Sequence, residues 1–142
     1  ESFNNYIENN LCIVVNKFIK NEVVPIKQEK SKATWVGKRN LNDCKLGYTQ
    51  TIEQMKALFR ALVSPYPLPY IEYKDKKYEI IEHCFHYENC NTTFGRVLNI
   101  DNEGVYIKIG DGYLIVKKIM ERDSKIIFNA HEILKNIGIR LK

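Results

Sequence analysis

Residues 70–128 break into short runs of aromatic and β-branched residues divided by polar or glycine-bearing turns, a pattern that leaves few folds open. Runs 70–73 and 77–85, around Asp75 and Lys76, read as a hairpin. Runs 96–100, 105–109 and 113–119 are separated by Asp101-Asn102-Glu103-Gly104 and Gly110-Asp111-Gly112, where glycine permits positive φ. Asp123-Ser124 leads into a last run, 125–128. Several short strands with close turns predict a closed or partly open barrel, because closure removes the exposed edges of a small sheet.

Helical periodicity surrounds this block. In 3–19 the apolar positions Phe3, Ile7, Leu11, Val14, Val15 and Phe18 recur at spacings of three and four, which predicts an amphipathic helix. Residues 21–46 show no period, contain Pro25 and Gly37, and carry Lys27, Lys30, Lys32, Lys38 and Arg39; they read as an extended basic linker with Trp35 as its packing anchor. A second helix begins after Thr51, which forms a capping box with Gln54 and precedes the stripe Ile52, Met55, Leu58, Phe59 and Leu62. It must stop near Ser64, because Pro65, Pro67 and Pro69 lack amide donors. Asn129 caps a short last helix, with Glu132 at the reciprocal position and Gly138 as its stop. The expected fold is mainly β with α: a small OB-like open β-barrel preceded by a linker and two helices, with a short C-terminal helix.

Composition narrows the class. The chain has 142 residues, 44% of them hydrophobic and 27% charged, enough apolar side chains for one core. The longest apolar run, residues 11–15, is far too short to cross a bilayer. Cys12, Cys44, Cys84 and Cys90 lack the spacing of a secreted disulfide framework, which points to reduced thiols and a cytoplasmic setting. The net charge of +5 suits nucleic acid, nucleotide phosphates or an anionic surface, and equally a fragment's share of a neutral parent. A helical stripe already under way at Phe3 is expected to have packed on an upstream portion.

Two constellations carry possible chemistry. His83, Cys84, His86 and Cys90 have zinc-binding side chains, but strand alternation sends His83 away from Cys84 and His86, and no Cys-x-x-Cys pair is present, so no metal is expected. Lys74, Lys76, Lys77, Arg96, Lys108, Lys117 and Lys118 alternate with Tyr70, Tyr73, Tyr78, Tyr106 and Tyr113, a mixture able to bind RNA backbone and stack bases, or simply to form a solvated barrel surface. His131 reads as an exposed first-turn residue.

The order of segments resembles the carboxy-terminal region of the methionyl-tRNA formyltransferase and amino-sugar N-formyltransferase superfamily. The resemblance rests on Ala33-Thr34-Trp35-Val36-Gly37-Lys38-Arg39 followed by Asn42-Asp43, on Arg60-Ala61-Leu62, and on the Ser64-Pro65-Tyr66-Pro67 corner. Gly95-Arg96-Val97-Leu98, Gly110-Asp111-Gly112-Tyr113-Leu114 and Gly138-Ile139-Arg140-Leu141 continue it, while Leu68-Pro69 stands where the family usually has Gly-Ala. It implies that residues 1–20 end a missing N-terminal catalytic domain, 21–46 form the linker and 47–142 the barrel domain. It implies 10-formyltetrahydrofolate as cofactor of the parent enzyme, with an Asn, His and Asp set in the missing part carrying formyl transfer and no catalytic residue here. Gly37-Lys38-Arg39 resembles the turn of enzymes acting on nucleotide-linked amino sugars, so a nucleotide-sugar is the expected acceptor, with Lys38 and Arg39 as its phosphate contacts. The alternatives are a tRNA-binding domain of methionyl-tRNA formyltransferase, or a free-standing nucleic-acid-binding barrel. A homodimer stays open.

Overall fold

A computed structural model describes residues 3–88 and 90–141. The chain divides into two compact units, Glu1–Gly37 and Lys38–Lys142. In the first, α1 spans Phe3–Ile19, as the periodicity predicts, and buries none of its residues. Its C-terminus is closed by left-handed Asn21 (φ 57°), with the Glu22 amide donating to Lys17 O at 2.9 Å and the Asn21 amide to Phe18 O at 3.1 Å. The rest of this unit holds one 3-10 turn, Lys30–Lys32, and no buried residue. The anchoring role expected of Trp35 is therefore corrected within this unit: the residue is 93% exposed, as are its apolar neighbours Ile26 and Val36 at 92% and 93%.

The second unit is built on an antiparallel sheet. Its strands are β1 (Tyr70–Tyr73), β2 (Lys76–Tyr87), β3 (Val97–Asp101), β4 (Gly104–Ile109), β5 (Gly112–Glu121) and β6 (Ile127–Asn129). The order is β1-β2-β5-β4-β3, with β6 added to β5. Long β2 pairs β5 from Tyr78↔Glu121 to Tyr87↔Gly112, with compensating register shifts around Glu82 that bend the sheet. Both outer edges are shielded. Lys45 bridges Tyr70, and the Leu46 amide donates to Tyr70 O at 3.1 Å on the β1 side. Residues 138–141 cover β3, through Val97 N to Ile139 O (2.9 Å), Gly138 N to Val97 O (2.8 Å) and Leu141 N to Gly95 O (2.9 Å). β1 and β3 do not pair with each other, so the barrel is open.

Helix α2 (Ile52–Ala61) begins with the expected Thr51–Gln54 capping box. The Gly110-Asp111-Gly112 turn holds it to the sheet: Asp111 Oδ1 accepts from the Ile52 amide at 2.7 Å, and the Gly110 amide donates to Gln50 O at 2.9 Å. A methyl group on Gly110 would lie 2.6 Å from Gln50 O, so this turn must be glycine-lined for the helix to dock. Ile52 and Met55 enter the main core with Ile71, Ile80, Val105, Ile107, Leu114 and Ile119. On the opposite face of β1, Tyr70 packs with Cys44 and Leu62 in a smaller cluster.

Helix α3 (Ala130–Ile133) is shorter than expected, and two of its predicted signals act differently. Asn129 makes no side-chain cap; its Nδ2 donates to Glu132 Oε1 at 2.8 Å instead. Gly138 (φ 87°) lies beyond the helix and begins the edge-covering segment.

Candidate functional site

A cleft of about 800 Å³ opens where the second unit begins, lined by Lys38, Arg39 and Lys77, by the polar Asn40 and Asn42, and by Leu41, Cys44, Tyr66 and Pro67. Its first wall is a short 3-10 turn, Leu41–Cys44. Asn40 and Asp43 close that turn with a reciprocal capping box: Asn40 Oδ1 accepts from the Asn42 amide at 2.8 Å, while Asp43 Oδ2 accepts from the Asn40 amide at 2.7 Å. Fully buried Cys44 ties the turn down beside Tyr70. The second wall is the proline corner after α2, where the Tyr66 amide donates to Val63 O at 2.9 Å.

Lys38 and Arg39 thus share one concavity, and Lys77, which the sequence places on a distant strand, joins them. Arg39 Nη1 also donates to Ala61 O at 3.4 Å, so its guanidinium ties the start of this unit to a free carbonyl at the end of α2. Lys77 Nζ lies 5.4 Å from the Tyr70 ring centroid and 4.0 Å from Glu72, whose carboxylate pairs with Lys45. That pairing, through the Lys45 hydrogen bond above all, holds the Glu72 carboxyl below its ordinary range. No carboxylate is among the residues that line the cleft, although Glu72 lies 4.0 Å from Lys77 and Asp43 belongs to the turn that forms its first wall.

Of the strand tyrosines considered from sequence as a stacking surface, Tyr70, Tyr78 and Tyr113 are buried, while Tyr73 and Tyr106 are half-buried. Lys108 is only 2% exposed, with its Nζ 5.8 Å from the Tyr113 ring centroid and without a hydrogen-bond partner. Burial, and then a hydrogen bond with Cys90, push the Tyr113 hydroxyl up to about 12. Beside Tyr70, the Arg122 guanidinium sits 4.3 Å from the ring centroid, and its Nε donates to buried Glu79 at 2.8 Å.

The zinc-type side chains are separated by the alternation of β2. His83 stacks on Phe59 of α2, with centroids 3.8 Å apart, and meets Phe85 edge-on at 5.2 Å. His86 lies parallel to Tyr113 across the strand pair at 6.3 Å. Among the described residues no group of His, Cys, Asp and Glu is arranged to hold a metal ion. Nor is any described helix long and apolar enough to cross a membrane.

The family described as "Formyl transferase, C-terminal domain" has a model that matches residues 39–138, from the floor of this cleft to the segment that covers β3. The chain belongs to this family. As a formyl transferase C-terminal domain it is 30% identical over 109 residues to the methionyl-tRNA formyltransferase of Clostridium novyi, covering 77% of this chain and 35% of that protein. It is 26% identical to the enzyme of the same name from Malacoplasma penetrans, covering 100% of this chain and 46% of that protein. The chain thus spans less than half the length of these relatives. HypX from Aquifex aeolicus shares the fold: a variant superposes with a TM-score of 0.60 at 18% identity, over 90% of this chain and 23% of that one. A second HypX structure, in complex with tetrahydrofolic acid, gives 0.57 at 19% identity, over 87% of this chain and 22% of that one.

Sequence reasoning missed Lys77 and Tyr66 as companions of Lys38 and Arg39. The available signal was the proline corner, which holds an aromatic ring out from the surface; Tyr66 is 63% exposed.

Proposed function

We propose that this chain is the RNA-contacting accessory domain of a 10-formyltetrahydrofolate-dependent enzyme that formylates methionyl-tRNA. The observation that carries the reading is a family match whose curated relatives bear the name methionyl-tRNA formyltransferase, on a domain that presents a cleft lined by Lys38, Arg39 and Lys77. These relatives favour tRNA over the nucleotide-linked amino sugar expected from Gly37-Lys38-Arg39. The folate assignment for the parent draws support from the tetrahydrofolate-bound HypX neighbour. In this reading the apolar stripe of α1 packs on an upstream catalytic domain that holds the groups for transfer, since an attacking amine must lose a proton and the developing oxyanion needs fixed donors. Lys38 and Lys77 meet phosphates as point charges, while Arg39 spends part of its guanidinium on Ala61.

The test is tRNA binding by the 142-residue chain across a salt series. Affinity should fall steeply with salt, and each of Lys38→Ala and Lys77→Ala should lower the log–log slope by about one. In the complete enzyme the same substitutions should raise the KM for methionyl-tRNA and leave that for the folate unchanged. Salt-independent binding, or formyl transfer to an amino-sugar nucleotide in preference to methionyl-tRNA, would remove the reading.

A further inference from the structure

We infer that the basic cleft is a site for a single nucleotide, with the base laid against Tyr66 and the phosphate held between Lys38 and Lys77. The inference rests on the RNA reading only for the source of that nucleotide, an unpaired residue of an RNA strand; a free nucleoside diphosphate offers the same chemistry.

Shape is the first argument. A concavity of about 800 Å³, open to solvent, has room for one nucleotide along its floor. The lining is the second. Cations stand at Lys38, Arg39 and Lys77, yet Leu41 and Pro67 give an apolar wall, and the Asn42 carboxamide adds one donor and one acceptor type for a base edge. A purely phosphate-binding surface has no use for that apolar wall. A nucleotide presents a flat π-face and a charged end at once.

The state of the tyrosines is the third. With Tyr70, Tyr78 and Tyr113 buried, Tyr66, Tyr87 and Phe94 are the large exposed aromatic rings of this unit with no aromatic partner among the described residues, and of the three Tyr66 lines the cleft. Tyr87 is engaged: its hydroxyl donates to Glu53 at 2.6 Å, and Lys56 sits 5.3 Å over its ring. Tyr66 lines the cleft between Pro65 and Pro67, whose rings restrict its backbone, so stacking a base there orders little that is not already fixed. The opposite wall is equally set in advance by the Asn40–Asp43 box and by buried Cys44.

The experiment titrates the 142-residue chain, labelled for amide NMR, with uridine diphosphate, inorganic phosphate, an unstructured hexauridylate and a blunt RNA duplex. Hexauridylate and uridine diphosphate should both shift the amides of residues 38–44, 66 and 77, and phosphate alone should do so only at far higher concentration. Tyr66→Ala should weaken hexauridylate about tenfold, Tyr66→Phe should retain binding, and duplex affinity should not change. An unaltered thermal midpoint in Tyr66→Ala, expected for an exposed side chain, separates lost stacking from lost folding. Hexauridylate held equally well by Tyr66→Ala would overturn the nucleotide site while leaving the RNA reading intact. Uridine diphosphate bound in the cleft with no RNA bound anywhere would keep the site and remove the RNA reading. No shift of these amides with either nucleotide ligand overturns the inference.

Discussion

At the scale of single residues, the sharpest expectations concern groups whose charge is ill-served by their surroundings. Burial among Phe59 and Phe85 holds the His83 imidazole below its ordinary value of 6.5. The unfolded chain therefore takes up a proton more readily than the folded one, and stability present above pH 6.5 should be lost progressively as pH falls from there through the lower folded-state value. A His83→Phe variant should lose that part of the pH dependence, measured as the thermal midpoint between pH 5 and 8. Lys108 is a second case, an ammonium deep against Tyr113 with no hydrogen-bond partner. Replacing it with methionine keeps the packing and removes the desolvation cost, so Lys108→Met should gain about 1 kcal/mol in urea unfolding. Its burial was not readable from sequence. A lysine on a strand normally faces water, whereas this one lies against Tyr113, its partner across the β4–β5 pair.

At the scale of elements, local chemistry decided more than long-range chemistry did. The capping box at Thr51, the prolines that halt α2 and the glycine turns are all signals confined to a few residues, and each appears where the sequence places it, although the expected positive φ is found at Gly104 and not at Gly110 or Gly112, where close packing requires the glycine. The exceptions are instructive. Asn129 and Glu132 have the spacing of a cap, but their side chains satisfy each other and leave the backbone aside. Residues 138–141 read as a tail beyond a helix, yet they act as a strand, because the β3 edge supplies backbone partners that no local pattern records. Asp111 shows the converse: a turn residue that serves the N-terminus of a helix 59 positions away in the chain. Asp111→Ala should therefore cost about 1 kcal/mol and fray the first turn of α2, seen as faster amide exchange at Ile52, with the β4–β5 turn itself retained.

At the scale of the whole molecule, the fold class was legible because open barrels follow from strand length and turn spacing, while the site was legible only by half. Lys38 and Arg39 stand out in a basic segment, but Lys77 and Tyr66 reach them through tertiary packing, and the surplus of positive charge says nothing of where it gathers. The cover over β3 offers a last expectation. A chain that stops at Ile137 should lose Leu141 from the core and the packing of Ile139, and expose a row of unpaired amides and carbonyls, so it should self-associate in light scattering at concentrations where the longer chain stays monodisperse. The same feature bears on the order of events during synthesis. Val97 emerges from the ribosome more than forty residues before its partner Ile139, so for that interval the sheet has a ready neighbour's place and nothing of its own to fill it. A nascent domain of this kind is safest when its early strands are kept apart from those of other growing chains.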